Sequence, residues 1–515
     1  MRNVNYAHFY CGRYSSKVNT ACRRPLKDAT AIDKQCRASS KALLGYNGRM
    51  LNLFEKSNQS TLSRRRCLQL ATAAMLGITG EAKSSEKAGF GRAKSVLTIF
   101  ASGGQSQIDM WDPKPLAPEH IRGAFSPLQT KLPGVHFTED MHGLASIADR
   151  FTLVRSMAHE DLDHGSATYL TMTGRYYPVL STNPLPKPTD LPSLGSILNH
   201  LPIESRFPYD SIYVNGPALI PINIAPGMYG GILGKSYDPL MVGDPTSGEI
   251  AIPGLSYESR LSETRMRKLV QLKKSLDRDQ TALDANTQVR NNNRFYGQAI
   301  DLLSSPHVVS AFDLNKESDK TRDAYGRYRS GQACLLGRRL VEAQVPYVNV
   351  IFNHTNRGQD LAPDAIEEYG WDTHNDIFPA LKNHLIPRFD KTITALIKDL
   401  ENRGLLDTTL VIVMGEFGRA PVVAIEGNFA GTTAGRKHWA SAYSILLAGA
   451  GVTRGSVVGK TDRFGGEVVD QRYAPWDVAA TMFHALGIEP HSHFYDELDR
   501  PFPVSVGKPM LDLYQ

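Results

Sequence analysis

Four short apolar runs limit what this chain can fold into: "SVLTIF" (95–100), "YVNVIF" (347–352), "TLVIVM" (409–414) and "YSILLAGA" (443–450). Each is continuous rather than alternating, so a strand built from it has to be covered on both faces. Helical patterning fills the stretches between them. "FPALKNHLIPRFDKTITALIKDLENRGLL" (378–406) reads as a helix ended by Gly404 that leads straight into "TLVIVM". "PWDVAATMFHALGI" (475–488) is a second helix stopped by a glycine. Strand and helix in alternation predict βαβ units, and so an α/β fold with a mostly parallel sheet.

The middle of the chain differs. "LSETRMRKLVQLKKSLDRDQTALDANTQVRNNNRFYGQAIDLLSS" (261–305) is charged, amphipathic and helical in pattern, and proline-rich "YYPVLSTNPLPKPTDLPS" (176–193) reads as a surface loop. Residues of about 180–340 are expected to elaborate one domain, 91–515, rather than form a separate fold. The chain has no internal repeat.

Charge is distributed unevenly. The whole chain carries +6, yet its first 66 residues hold 14 Lys+Arg against 3 Asp+Glu, which leaves the remainder at about −5. The basic balance belongs to the leader, so nucleic-acid binding is not expected. The leader contains "TLSRRRCLQLATAAMLGITGEA": arginines, a short weakly apolar stretch from Leu68 to Thr79, then small residues. This is a secretory pattern, and "SRRRCLQ" resembles the twin-arginine export motif, with Arg64 and Arg65 as the pair. Residues 63–90 are accordingly expected to be a signal and linker. Residues 1–62 are expected to be a disordered extension or to follow a mis-assigned start, with Met50 as the nearer candidate. The expected location is periplasmic or extracellular, reached through the twin-arginine machinery. No apolar run approaches the ~18 residues of a spanning helix, so no membrane span is expected. Of five cysteines only Cys334 lies beyond the leader, which rules out an internal disulfide in the mature chain and suits a small buried residue.

In open α/β sheets, ligands bind beyond the carboxyl ends of the strands. Polar stretches cluster at such ends. "SGGQSQIDMWDPKP" (102–115) follows the first run and carries Ser106 and Asp109. "GWDTHND" follows the second and carries Asp372 and His374. "GEFGRAP" follows the third and carries Glu416 and Arg419. "GRKHWA", with Arg436, Lys437 and His438, precedes the fourth. A fifth stretch, "HEDLDHGSATYLTMTGR" (159–175), carries His164, Ser166 and Arg175. Taken singly, each has a plain structural reading: Asp372 as a helix cap, His438 as a packed surface histidine, Glu416 with Arg419 as an ion pair. Converging on one sheet edge, carboxylates and imidazoles suit zinc, manganese or another divalent ion. Asp372 and His374, two apart, share a face of an extended segment.

Together "GGQSQIDMWDPKP", "DHGSATYLTMTGR", "GWDTHNDIF", "GLLDTTLVIVMGEFGRAP", "GRKHWASAYSILLAGAGVTRGSVVGKTD" and "PWDVAATMFHALGI" resemble the bacterial domain of unknown function 1501 family, over about Ser95 to Asp499. That family looks like a branch of the alkaline phosphatase superfamily, beside sulfatases. The resemblance implies an alkaline phosphatase-like three-layer α/β/α sandwich with a metal site (Zn, Mn or Ca) at one sheet edge. It implies Asp109, Asp372, His374, Glu416 and His438 as metal ligands. Counting back from Thr173, the sulfatase nucleophile position falls on His164, not on the cysteine that formylglycine chemistry requires. The resemblance implies a catalytic set of His164, as nucleophile or as a ligand of a metal that activates water, with Ser166 as a nearby hydroxyl and Arg419, and with Ser106, Arg175, Arg436 and Lys437 binding substrate. The chain departs from its closer family at three places. Gln107 stands where a histidine is usual, Lys437 where an aspartate is, and Ala420 where a threonine is; Phe417 takes the place of a superfamily histidine.

Two functions follow as the main expectations, with a structural component of an exported assembly, the helical middle supplying an interface, as a third. One is an exported metal-dependent hydrolase of phosphate or sulfate esters, acting on a small molecule or glycan. The other is a catalytically degenerate relative that binds an anionic ligand, such as a sulfated or phosphorylated glycan, without turnover.

Overall fold

Along each of the four apolar runs, alternate side chains enter different cores. Val96 and Phe100 pack on one side, Leu97 and Ile99 on the other; Leu410, Ile412 and Met414 oppose Val411 and Val413 in the same way. Both sets are buried, which is why these runs show no polar alternation. The computed structural model describes residues 88–203, 205–247, 305–358 and 370–515, with positions 268, 271, 298 and 302. All fall within the unit Lys83–Gln515. The expected extension, the twin-arginine segment and most of the helical stretch 261–305 lie outside the described residues.

The central sheet has eight strands. They are β1 (Ser95–Phe100), β2 (Thr152–Met157), β3 (Ser211–Val214), β4 (Leu240–Val242), β5 (Tyr347–Ile351), β6 (Thr409–Met414), β7 (Tyr443–Ala448) and β8 (Ser456–Val458). Their spatial order is β8-β2-β7-β6-β1-β5-β3-β4. Every adjacent pair is parallel except the two made by β7, which runs against β6 and β2. Because of the reversal, the residues just before β7 reach the same edge as the residues just after β1, β2, β5 and β6.

Six helices are used below: α1 (Gln107–Met110), α2 (His164–Thr173), α3 (Leu194–His200), α4 (Arg329–Glu342), α5 (Ile386–Asn402) and α6 (Pro475–Ala485). Met172 of α2, Leu194 and Ile197 of α3, and Val478 and Met482 of α6 cover one face of the sheet. Leu336 and Leu340 of α4, and Ile393, Leu396 and Leu400 of α5, cover the other. The result is the anticipated three-layer α/β/α sandwich with a mostly parallel sheet.

Two details go beyond the sequence pattern. Strands β3 and β4 arise inside 180–340, so that stretch supplies one edge of the sheet as well as loops. The segment 378–406 is not one uniform helix: a turn at Ile377–Ala380 passes into a π-turn at Leu381–Leu385 before α5 begins. Pro387 has no N–H to offer and its ring crowds the preceding turn, which the wider π-turn relieves. Gly404, with φ of +67°, ends the helical run as expected.

Candidate metal centre

The polar stretches at the strand ends do meet. His164 is the first residue of α2, and the capping Asp163 accepts a hydrogen bond from its backbone N–H at 2.9 Å. Asp372 and His374 lie on the loop beyond β5, and Glu416 follows β6. His438 precedes β7 in a two-residue ribbon, where it pairs with Arg419. Gly103, just past β1, has φ of +114°, and a Cβ there would come within 2.4 Å of the Asp372 nitrogen. Only glycine lets the β1 tip lie against the Asp372 segment.

Three imidazoles surround the Asp372 carboxylate. His374 Nε2 lies 3.1 Å and His438 Nε2 3.3 Å from its Oδ1, while His164 Nε2 lies 3.2 Å from its Oδ2. His164, Asp372 and His438 each offer one ligand atom, all within 4.8 Å of one another. His374 Nε2 is 2.9 Å from His438 Nε2. The other ring nitrogen of each histidine is held by an oxygen: His164 Nδ1 by Glu416 Oε1 at 2.7 Å, His374 Nδ1 by Glu426 Oε2 at 3.1 Å, and His438 Nδ1 by the Leu162 carbonyl at 2.6 Å. A carbonyl or an ionised carboxylate only accepts, so in each ring Nδ1 carries the hydrogen and Nε2 is the nitrogen turned to the centre.

Electrostatics agree with this picture. Burial works against ionisation of Asp372, but the charges of His164 and Arg419 outweigh it and hold its carboxyl well below the usual range. Burial, with the nearby positive His164, pushes His438 down to about 3, so its Nε2 is bare at neutral pH. Burial alone would also depress His164, yet the Asp372 and Glu416 carboxylates override it and raise it to about 9. Without a metal, a proton on His164 is the cation between two carboxylates.

These donors fit a metal ion. Nε2 of His164 is buried, has no hydrogen-bond partner, and sits beside a carboxylate without the alignment of a hydrogen bond. The contact between the two Nε2 atoms of His374 and His438 requires a cation or a proton between them. Ligands of a tetrahedral zinc, at about 2.0–2.2 Å from the ion, stand roughly 3.3 Å apart, close to the separations found here. Imidazole held through Nδ1 by carboxylate or carbonyl is the usual support of a metal-bound histidine.

The remaining expected site residues have other partners. Asp109 is not among the converging donors: Arg436 grips it with Nε at 2.7 Å and Nη2 at 2.9 Å. Ser106 caps α1 and donates to Asp109 Oδ2 at 2.5 Å. Arg436 spends its other hydrogen bonds on the carbonyls of Ile121, Ala420 and Pro421, and at 1% exposure it is closed to a substrate anion. Arg419, at 0% exposure, donates to Asp372 Oδ1 at 2.8 Å and to the carbonyls of Gly103, Gly104 and Arg436. It therefore orients Asp372 and is not free to clamp a ligand. Ser166 Oγ is buried and donates to Asp161 Oδ1 at 2.7 Å. Arg175 bonds the Pro503 carbonyl at 2.6 Å. Glu416, fully buried, holds His164 and the Gly103 N–H at 2.7 Å each instead of joining the ligand atoms.

The departures from the family pattern find places too. Gln107 donates to the carbonyls of Arg419 and Gly465, both at 2.9 Å, and accepts from the Arg419 N–H at 3.0 Å. It is a backbone clamp, not a failed ligand. Phe417 packs its ring 4.9 Å from His164 and 4.8 Å from His438, an apolar wall beside the cluster. Lys437, its side chain 67% exposed, pairs with Glu426 at 2.9 Å. Glu426 had no signal in the sequence: it comes from a loop segment, "VVAIEGNFA", with no recognisable pattern.

Among the described residues, no helix is long and apolar enough to cross a membrane. Among solved structures the chain is similar to Ps i-CgsB in complex with k-i-k-neocarrahexaose (13% identity, 81% of this chain and 75% of that chain, TM-score 0.39). It is also similar to the PsFucS1 sulfatase from Pseudoalteromonas sp. (12% identity, 83% and 72%, TM-score 0.36). A third is the phosphonate monoester hydrolase SpPMH from Silicibacter pomeroyi (12% identity, 82% and 76%, TM-score 0.35). No curated protein matches the chain. The model of one family, described as protein of unknown function (DUF1501), matches residues 93–513, and the chain belongs to that family.

Proposed function

We propose that this protein is a metal-dependent hydrolase of phosphate or sulfate esters. The observation that carries the reading is the convergence of three histidine Nε2 atoms on the Asp372 carboxylate, each ring held from behind through Nδ1. His164, Asp372 and His438, whose ligand atoms group together, would hold the ion, with His374, whose Nε2 lies 2.9 Å from that of His438, as a fourth donor; zinc suits their nitrogen and oxygen donors best, with manganese next. A bound divalent ion would polarise the ester and stabilise charge developing on the leaving oxygen.

The chain's own groups do the rest. Arg419 fixes the orientation of Asp372, and Glu416 that of His164. Both nitrogens of His164 face carboxylates and the Ser166 hydroxyl is spent on Asp161, so neither is placed as a nucleophile. Water is then the attacking group: its oxygen bonds to phosphorus or sulfur, the ester bond breaks, and the proton that water gives up is taken by the leaving oxygen, which departs as an alcohol. Lys437, exposed and paired with Glu426 beside the cluster, is a cation that would help draw in an anion.

The reading of a degenerate binder loses much of its ground. Gln107 clamps backbone rather than vacating a ligand position. The proposal includes export by the twin-arginine route, resting on Arg64 and Arg65. The test is elemental analysis of the exported protein together with hydrolysis of an aryl phosphate and an aryl sulfate. At least one tightly held divalent ion per chain is expected, with turnover lost in His374→Ala. A clean absence of metal after metal-replete expression would overturn the proposal.

A further inference from the structure

Three consecutive residues, His374, Asn375 and Asp376, all hold one loop, residues 426–433. His374 Nδ1 meets Glu426 Oε2 at 3.1 Å, and the Phe429 ring stacks flat on its imidazole at 3.7 Å with 5° between the planes. Asn375, 1% exposed, donates to the carbonyls of Glu426, Phe429 and Ala430 at 3.0, 3.1 and 3.1 Å and accepts from the Glu426 N–H at 2.9 Å. Asp376 accepts from the backbone N–H groups of Thr432 and Thr433 at 3.0 and 2.6 Å. From the other side, Lys437 reaches the second oxygen of Glu426 at 2.9 Å.

Much of this loop is exposed, and exposed loops without such ties are usually free to move. Here the exposed backbone is fastened to the residue next to a candidate ligand, and its one carboxylate is only 13% exposed. We propose that the 426–433 loop is a clamp for the metal centre, with Glu426 as the positioning residue that fixes the tautomer and ring angle of His374 and Phe429 as the cover that keeps the ring from turning. The inference rests on the metal-centre reading above and adds a part that none of the motifs quoted above contains. A carboxylate behind an imidazole raises its donor strength, and removing such a partner costs about 10–100-fold in metal affinity.

The experiment is zinc affinity by competition with a chromophoric chelator, on the whole chain, for wild type, Glu426→Ala, Glu426→Gln and Asn375→Ala. Glu426→Ala is expected to bind zinc about 10–100-fold more weakly, with Glu426→Gln recovering part of the loss because its amide oxygen still accepts from Nδ1. Asn375→Ala, which loosens the loop and with it the hold of Glu426 and Phe429 on His374, is expected to weaken zinc binding in the same direction. Thermal unfolding of the metal-free forms separates this from general damage: the clamp requires Glu426→Gln to weaken zinc binding while melting with wild type. Wild-type zinc affinity in both Glu426 variants would sink the clamp and leave the metal centre standing. A wild-type protein that takes up no zinc would sink both.

Discussion

Gln107 and Arg419 hold each other by reciprocal hydrogen bonds, the amide of one donating to the backbone carbonyl of the other at 2.9 Å and accepting from its backbone N–H at 3.0 Å. The pair ties α1 to the ribbon that carries His438. Gln107→Ala strands buried backbone groups on Arg419 and Gly465, at about 1–3 kcal/mol for each unsatisfied group. A loss of about 2–4 kcal/mol in urea unfolding is expected. Gln107→His is expected to leave the metal count per chain as in wild type; an additional equivalent of bound metal would place position 107 back among the ligands.

Arg436 and Asp109 make a fully buried two-pronged pair. Removing one partner leaves an uncompensated charge in the interior, which costs about 3–5 kcal/mol. Arg436→Met is therefore expected to lower the unfolding midpoint sharply. A well-folded Arg436→Met with a raised KM alone would instead mark Arg436 as a substrate clamp.

The metal-free protein is expected to be most stable near pH 6.5. The folded His164 titrates at about 9, above its ordinary 6.5, so its contribution is complete below 6.5 and disappears as pH rises through 9. His438 and His159 are depressed to about 3 and about 4, so theirs is present above 6.5 and drains away as pH falls toward those values. Chelator-treated protein followed by denaturant midpoint from pH 4 to 10 tests both limbs. A flat alkaline limb would show that His164 is not the charged group between Asp372 and Glu416.

Zinc added to the stripped protein is expected to raise its stability by about 2.7 kcal/mol at a hundredfold excess over Kd, because the ion binds only the folded arrangement. His438→Ala is expected to abolish most of that increment. An equal increment in His438→Ala would remove His438 from the ligand set.

Much of the architecture could be read from local pattern. Continuous apolar runs require cover on both faces, and the glycines and helical spacing between them place the crossovers, so the layered α/β fold and the polar sheet edge follow from residues close in sequence. The metal-centre candidates Asp372, His374 and His438 are legible for the same reason: Asp372 and His374 follow a strand, and His438 precedes the antiparallel one. Other assignments depended on long-range contact. Whether a buried arginine clamps a ligand or a carboxylate depends on what lies against it after folding. Arg419 and Arg436 are satisfied by the carbonyls of Gly103, Gly104 and Ile121, hundreds of residues away in sequence. Glu426 joins the centre only because Asn375 and Asp376 draw its loop across His374. Periodicity reports which face of an element is buried, but the partner of a polar atom is set by geometry between distant segments, and only the tertiary structure decides that.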